Sequence, residues 1–384
     1  MRTPLSIFIF CLAVVLFLWH CAADTLPPPR VESIHLRWVP AYEGETRIQV
    51  AEGLKWSLSF LGASLPKGSF AEAIRYLDEE RFELSFGGLG FSKSALEALS
   101  IIVENIKDSE EYKVHQSVDL GRFLVLTLHS SWHYYKITGV PRTLNDFIEE
   151  KSFTDFVEFA VTQSTVSHVN RILQLQVKEE LSQIAFISQE THLAPTEANR
   201  EIDHYETIDV MPNGQLRFAI YDAVGELVAA SPVGLTQAGK PSKCLWCHET
   251  KILPFFIETP EIEGFIEKEL FLGKVQSGNE IIEEYRGTLV TDLNFELPQN
   301  HTQSELLYIS FMEPSALRTA NEWQQPLENV AALLAPFPIH PYDEFPFLGD
   351  LYYRRWIDSL APYEALPVPF SVREENEGEV DYFE

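Results

Sequence analysis

Cys244-Leu245-Trp246-Cys247-His248 places two thiols and an imidazole within five consecutive residues. On a helical turn, residues i, i+3 and i+4 share a face, so all three groups point the same way. Three chemistries use such a set. Two thiols can add to the two vinyl groups at one edge of a porphyrin while the adjacent imidazole turns back to ligate the iron. Paired thiols can also serve as a disulfide or thiol-exchange site, which normally opens a long helix after a strand. Thiolate and imidazole together can hold zinc, given one or two further ligands. Here Gly239 to Lys243 precedes the motif, Pro254 closes the following turn early, and the other two of the four cysteines, Cys11 and Cys21, lie in the first apolar stretch. The leading expectation is one covalent haem c per chain, with Cys244 and Cys247 as thioether positions and His248 as the proximal iron ligand.

The run Lys243 to Glu249, KCLWCHE, resembles the haem-attachment site of the c-type cytochromes, over the motif and its immediate surroundings only. The resemblance implies covalent haem, a periplasmic or extracellular location and electron transfer as the default role. The chain departs from the small soluble members, whose motif follows an N-terminal helix. Here it follows a β-meander and a long stretch of other sequence.

An electron-transfer haem takes a second axial ligand, usually Met sulfur or His nitrogen. Beyond the first apolar stretch the only methionines are Met211 and Met312. Met312 is the first candidate: it stands before Pro314 at the end of an expected strand, as a distal Met loop would. The alternative is that it fills a gap in the core. Met211, His301 and His340 are further candidates, and a vacant position would turn the chemistry toward ligand or peroxide binding. His129 and His133, at i and i+4, could face a metal together, but the surrounding serines and aromatics suit a sheet surface equally. Asn300-His301-Thr302 fits a glycosylation sequon, meaningful only in a eukaryotic secretory pathway.

The elements that must position these groups follow from the rest of the chain. Arg2, the apolar run Leu5 to Trp19 and the small residues Cys21-Ala22-Ala23 read as a signal peptide over 1–23, with an uncleaved anchor or a lipidated Cys21 as alternatives. Residues 24–200 are expected to form an α+β domain of unknown role, 201–370 the haem-binding domain, and 371–384 a solvated acidic tail. Within them, strands are expected at Leu54 to Leu61, Arg122 to Ile137 and Leu306 to Phe311. A three-strand meander is expected over Ile208 to Ala230, turning at Pro212-Asn213-Gly214. Ser94 and Glu97 form a capping-box pattern ahead of a helix with a stripe of Ala95, Leu96, Leu99, Ile102, Val103 and Ile106. Asn145 to Gln189 reads as helical.

The fold class expected is thus α+β: a mixed N-terminal domain, then a β-meander and a mainly helical or irregular haem-binding region. With 45% hydrophobic residues there is ample core for 384 residues. Lys and Arg total 29 against 57 Asp and Glu, a net charge of −28. Such a chain repels phosphate backbones, which excludes nucleic acid and favours a basic redox partner. The expected membrane contact is limited to an uncleaved signal. The reading is an exported bacterial mono-haem c-type cytochrome. Two alternatives stay open: a haem enzyme with an open distal site, peroxidase-like, and a periplasmic binding protein whose C-x-x-C is a structural disulfide.

Overall fold

The computed structural model describes residues 32–162, 164–196, 201–232, 234–236, 239–256, 260–296, 301–341, 343–369, 372 and 379–384. The expected signal peptide and the sequon asparagine lie outside the described residues.

The fold is α+β. Strand β1 (Ser33–Arg37) is followed by helices α1 (Arg47–Phe60) and α2 (Ser69–Ala73), strands β2 (Ile74–Tyr76) and β3 (Arg81–Ser85), then α3 (Lys93–Asp108) and α4 (Glu110–His115). Strand β4 (Val118–Asp119) leads into α5 (Leu120–Leu124), a π-helical turn at Val125–His129, α6 (Ser131–Thr138) and α7 (Leu144–Glu150). The first sheet has the order β2-β3-β1-β4, with β1 parallel to β4 and antiparallel to β3.

Two expected strands in this half are helices. Leu54 to Leu61 lies in α1 and its C-cap: Thr46 accepts from Gln49 N while the Gln49 side chain accepts from Thr46 N, a complete capping box. Arg122 to Ile137 runs through α5, the π turn and α6. Both segments are buried nearly all round, so neither shows the apolar stripe by which a helix is recognised. The helix with a clear stripe, α3, forms as expected, although Ser92 and not Ser94 caps it by accepting from Ala95 N.

The second sheet is an antiparallel meander of five strands in chain order: β5 (Val157–Val161), β6 (Asn170–Gln176), β7 (Ala185–Thr191), β8 (His204–Val210) and β9 (Leu216–Asp222). It replaces most of the helical segment expected from Asn145 to Gln189, of which only α7 and a single 3-10 turn at Leu181–Gln183 are helical. The Pro212-Asn213-Gly214 turn joins β8 to β9 with Gly214 at φ +82°. Asn213 Nδ2 donates to the carbonyls of Ser59 and Ala63, anchoring the hairpin tip on the end of α1. Leu227 to Ala230 adds no full strand, but Val228 N donates to Ile220 O. On the same border of β9, Phe218 N donates to the Tyr134 hydroxyl. At the other border Ile266 N donates to Glu158 O on β5.

After the sheet come α8 (Pro241–His248), α9 (Lys268–Thr288), α10 (His301–Met312), α11 (Ala316–Trp323), α12 (Leu327–Leu334) and α13 (Arg354–Ile357). Leu306 to Phe311, expected as a strand, is part of α10, again buried all round. A single hydrophobic cluster runs from Ile34 to Val372, with a small satellite around α11 and α12. The expected boundary at residue 200 falls between β7 and β8, which are hydrogen-bonded neighbours from Ala185↔Asp209 to Glu190↔His204. The described end of the expected acidic tail packs on the chain: the Glu379 side chain is buried, Lys240 Nζ lies 2.7 Å from Glu379 Oε2, and the carboxylate takes the Ser131 N–H at the start of α6. Among the described residues no helix is long and apolar enough to cross a membrane.

Candidate functional site

The motif occupies the last five residues of α8. Pro241 sits in the first turn, where its missing N–H costs nothing. Lys240 caps the helix and is fully buried against Glu379. His129 Nδ1, from the π turn, lies 2.7 Å from Ser242 Oγ, and Trp246 Nε1 donates to the Tyr308 hydroxyl on α10. These contacts fix the helix at both faces. It ends at Glu249, a non-glycine residue with φ +31°, and the chain turns there so that Ile252 to Phe256 comes back beside the motif.

Cys244, Cys247 and His248 line one cavity of about 270 Å³ between α8, the Ile252–Phe256 segment, α9 and one face of the five-stranded sheet. The strand register identifies that face. Paired residues on antiparallel strands point to the same side, so Val161, Arg171, Glu190 and His204 form one row across β5 to β8. Leu173, Ser188 and Glu206 form the next row, and Phe186, Ile208 and Phe218 the one after. The cavity is therefore aromatic and aliphatic at one end and charged at the other. His248 stands against Phe218 and Phe255, with ring centroids 5.9 and 5.2 Å away. A second groove, of about 730 Å³, shares Cys247, His248 and Leu253 as its wall and opens toward Arg286 and Phe295.

Both cysteines are free thiols, Cys244 half-buried and Cys247 exposed. Burial raises both thiols above their ordinary value, and the Glu206 carboxylate adds to the effect at Cys244. Burial lowers the His248 imidazole to about 4, reinforced by the charge of Arg171, so the ring is neutral at pH 7 as a metal ligand must be. Leu253 N lies 3.4 Å from His248 Nδ1, which leaves Nε2 as the nitrogen free of that backbone contact. Two thiols and a neutral imidazole on one wall, with apolar aromatic walls beside them, are a donor set that fits a covalently held haem.

The charged end was not found from sequence. Arg171 Nε donates to Glu190 and Nη2 to Glu206 Oε2 at 2.6 Å. Ser188 and Ser167 donate to the two oxygens of Glu190, each at 2.7 Å. Ser231 Oγ lies 3.3 Å and His204 Nε2 3.4 Å from Glu206 Oε1. Burial alone would raise the Glu206 carboxyl, but Arg171 and these hydrogen bonds outweigh it and hold the group well below the usual carboxylate range. The available signal was the short alternation Leu173-Gln174-Leu175-Gln176, a strand pattern absorbed into the expected long helix.

The candidate second ligands are not brought to this cavity. Met312 is 3% exposed at the end of α10, inside the main core, and Met211 is buried beside Gly62 at the hairpin tip. His340 stacks on Tyr353 and lies 2.9 Å from Glu313. The His301 side chain lies outside the description. His129 and His133 do not act as a pair: His129 stacks on Tyr308, while His133 Nδ1 lies 2.5 Å from Leu126 O and its Nε2 accepts from Tyr382 N. No family model, curated protein or solved structure matches the chain.

Proposed function

We propose that this chain is an exported c-type cytochrome that holds one haem through Cys244 and Cys247, with His248 as proximal ligand, and transfers single electrons. The observation that carries the reading is the convergence of these three side chains on one largely apolar cavity. Bound there, haem would supply a one-electron couple. The protein's part is to keep the imidazole neutral and to exclude water with Phe218, Phe255 and Phe256. Helix α8 is held on Lys240 and Trp246 so that its geometry does not change between oxidation states. The excess of acidic residues suits a basic redox partner.

The test is expression with a cytochrome c maturation system. The parent chain is expected to carry haem absorbance and mass through denaturation, while Cys244→Ala or Cys247→Ala leaves at most one thioether. A parent chain without covalent haem under those conditions overturns the reading.

The burial of Met211 and Met312 away from the cavity favours a second reading, in which the distal position is open to an added ligand. The expected result is then a cyanide-sensitive high-spin ferric spectrum that Met312→Ala leaves unchanged. A sulfur-to-iron charge-transfer band that disappears in Met312→Ala would reject it.

A further inference from the structure

Arg171, Ser188 and Glu206 on the cavity wall belong to one hydrogen-bonded cluster that also includes Glu190, Ser167, Ser231 and His204. Two carboxylates, Glu190 and Glu206, surround one guanidinium, Arg171. Their side chains are 0%, 13% and 12% exposed, so water screens them little. Four hydroxyl or imidazole contacts, from Ser167, Ser188, Ser231 and His204, orient the two carboxylates. Arg171 and Glu206 line the same cavity as Cys244, Cys247 and His248. The other charges on that wall are Lys243, which is half-buried, and Glu344, which is exposed to solvent.

Reduction of a haem iron lowers the charge of the cofactor by one. A fixed negative charge nearby stabilises the oxidised, more positive state and moves the potential down, and a fixed positive charge does the reverse. Two carboxylates against one guanidinium leave an excess of negative charge along the stripe. In an interior of low polarity that excess is felt across the cavity, whereas the exposed Glu344 is damped by water and salt.

Resting on the haem reading above, we propose that the buried stripe Glu190–Arg171–Glu206 is a positioning and tuning element that holds the reduction potential of the bound haem low, with Glu206 as its principal residue. None of its side chains ligates the iron. The stripe acts through its field on the cofactor, and the serine hydroxyls orient the carboxylates. The alternating pattern of β6 to β8 places all three charges on one face, so the device is written into strand register and not into any contiguous motif.

The test is a spectroscopic redox titration of the matured holoprotein. Glu206→Gln keeps the shape and removes the charge, and its midpoint is expected to move to a more positive potential. Glu190→Gln, which removes the other carboxylate, is expected to move it in the same direction and serves as the second arm if Glu206→Gln does not accumulate. Glu206→Asp keeps the charge and is expected to stay closer to the parent than Glu206→Gln, a distinction that a purely structural role would not produce. Fully loaded Glu206→Gln and Glu190→Gln proteins that both titrate at the parent midpoint overturn the inference and leave the cytochrome reading standing. A parent chain that takes up no haem fails at the earlier step and overturns both.

Discussion

At the scale of single residues, Glu305 is a carboxyl whose ionisation the fold opposes. It lies on α10, 7% exposed, and burial raises its carboxyl to about 8, with the charges of Glu249 and Glu344 adding to the effect. The unfolded chain releases this proton above its ordinary value of 4.5, whereas the folded chain keeps it up to about 8. Folding therefore carries a growing penalty as pH rises between those values. Glu305→Gln is expected to match the parent in stability at pH 4 and to exceed it above pH 8 by on the order of a few kcal/mol. Denaturant unfolding of both proteins at the two pH values checks this, and a difference of equal size at both would refute it. Cys244, Cys247 and His248 stand out in the sequence because they lie within five consecutive positions, and the structure places all three on one cavity. Arg171, Ser188 and Glu206 do not stand out, because they come together only through the pairing of three strands.

At the scale of elements, legibility followed exposure. Helix α3 has one buried face and one wet face, so its period is visible in the sequence. The β8–β9 hairpin announces itself through Asn213-Gly214. Helices α1, α5, α6 and α10 are surrounded by other parts of the chain, and their apolar residues fall on every side. A run such as Arg122 to Ile137 then resembles strand sequence by its Leu, Val, Thr and aromatic content, although the π turn and its flanking helices are what form. The same ambiguity hid the role of α10. Its Tyr308 receives the indole of Trp246 and so braces α8.

At the scale of the whole molecule, the chain is tied together by contacts between its distant parts, which no local pattern reveals. Arg122 pairs with Glu111 at 2.7 Å and approaches Glu322 and Asp358, while Arg318 reaches Asp119 at 2.9 Å and Arg354 reaches Glu322 at 2.6 Å. The Phe311 ring packs among the guanidinium groups of Arg122, Arg318 and Arg354. The C-terminal segment is tied in by the same means. Glu379 pairs with Lys240 at the head of α8 and accepts from the first turn of α6. Removing one member of such a pair leaves the other charge buried alone. Glu379→Gln is expected to cost about 3–5 kcal/mol, since Lys240 is 0% exposed. An unfolding free energy within about 0.5 kcal/mol of the parent would show that Lys240 finds another partner.

The two borders of the five-stranded sheet bear on how this protein meets others. Phe218 N–H and Ile220 C=O on one border, and Glu158 C=O on the other, already have partners within the chain. A foreign strand cannot extend the meander at these positions without first displacing them, so backbone addition is closed there as a mode of recognition. At these positions encounters are left to side chains, and the chain carries 57 acidic residues against 29 basic ones. Association with a basic partner should then be fast in dilute buffer and slow steeply as salt is added, a kinetic signature set by the way a sheet is finished at its edges.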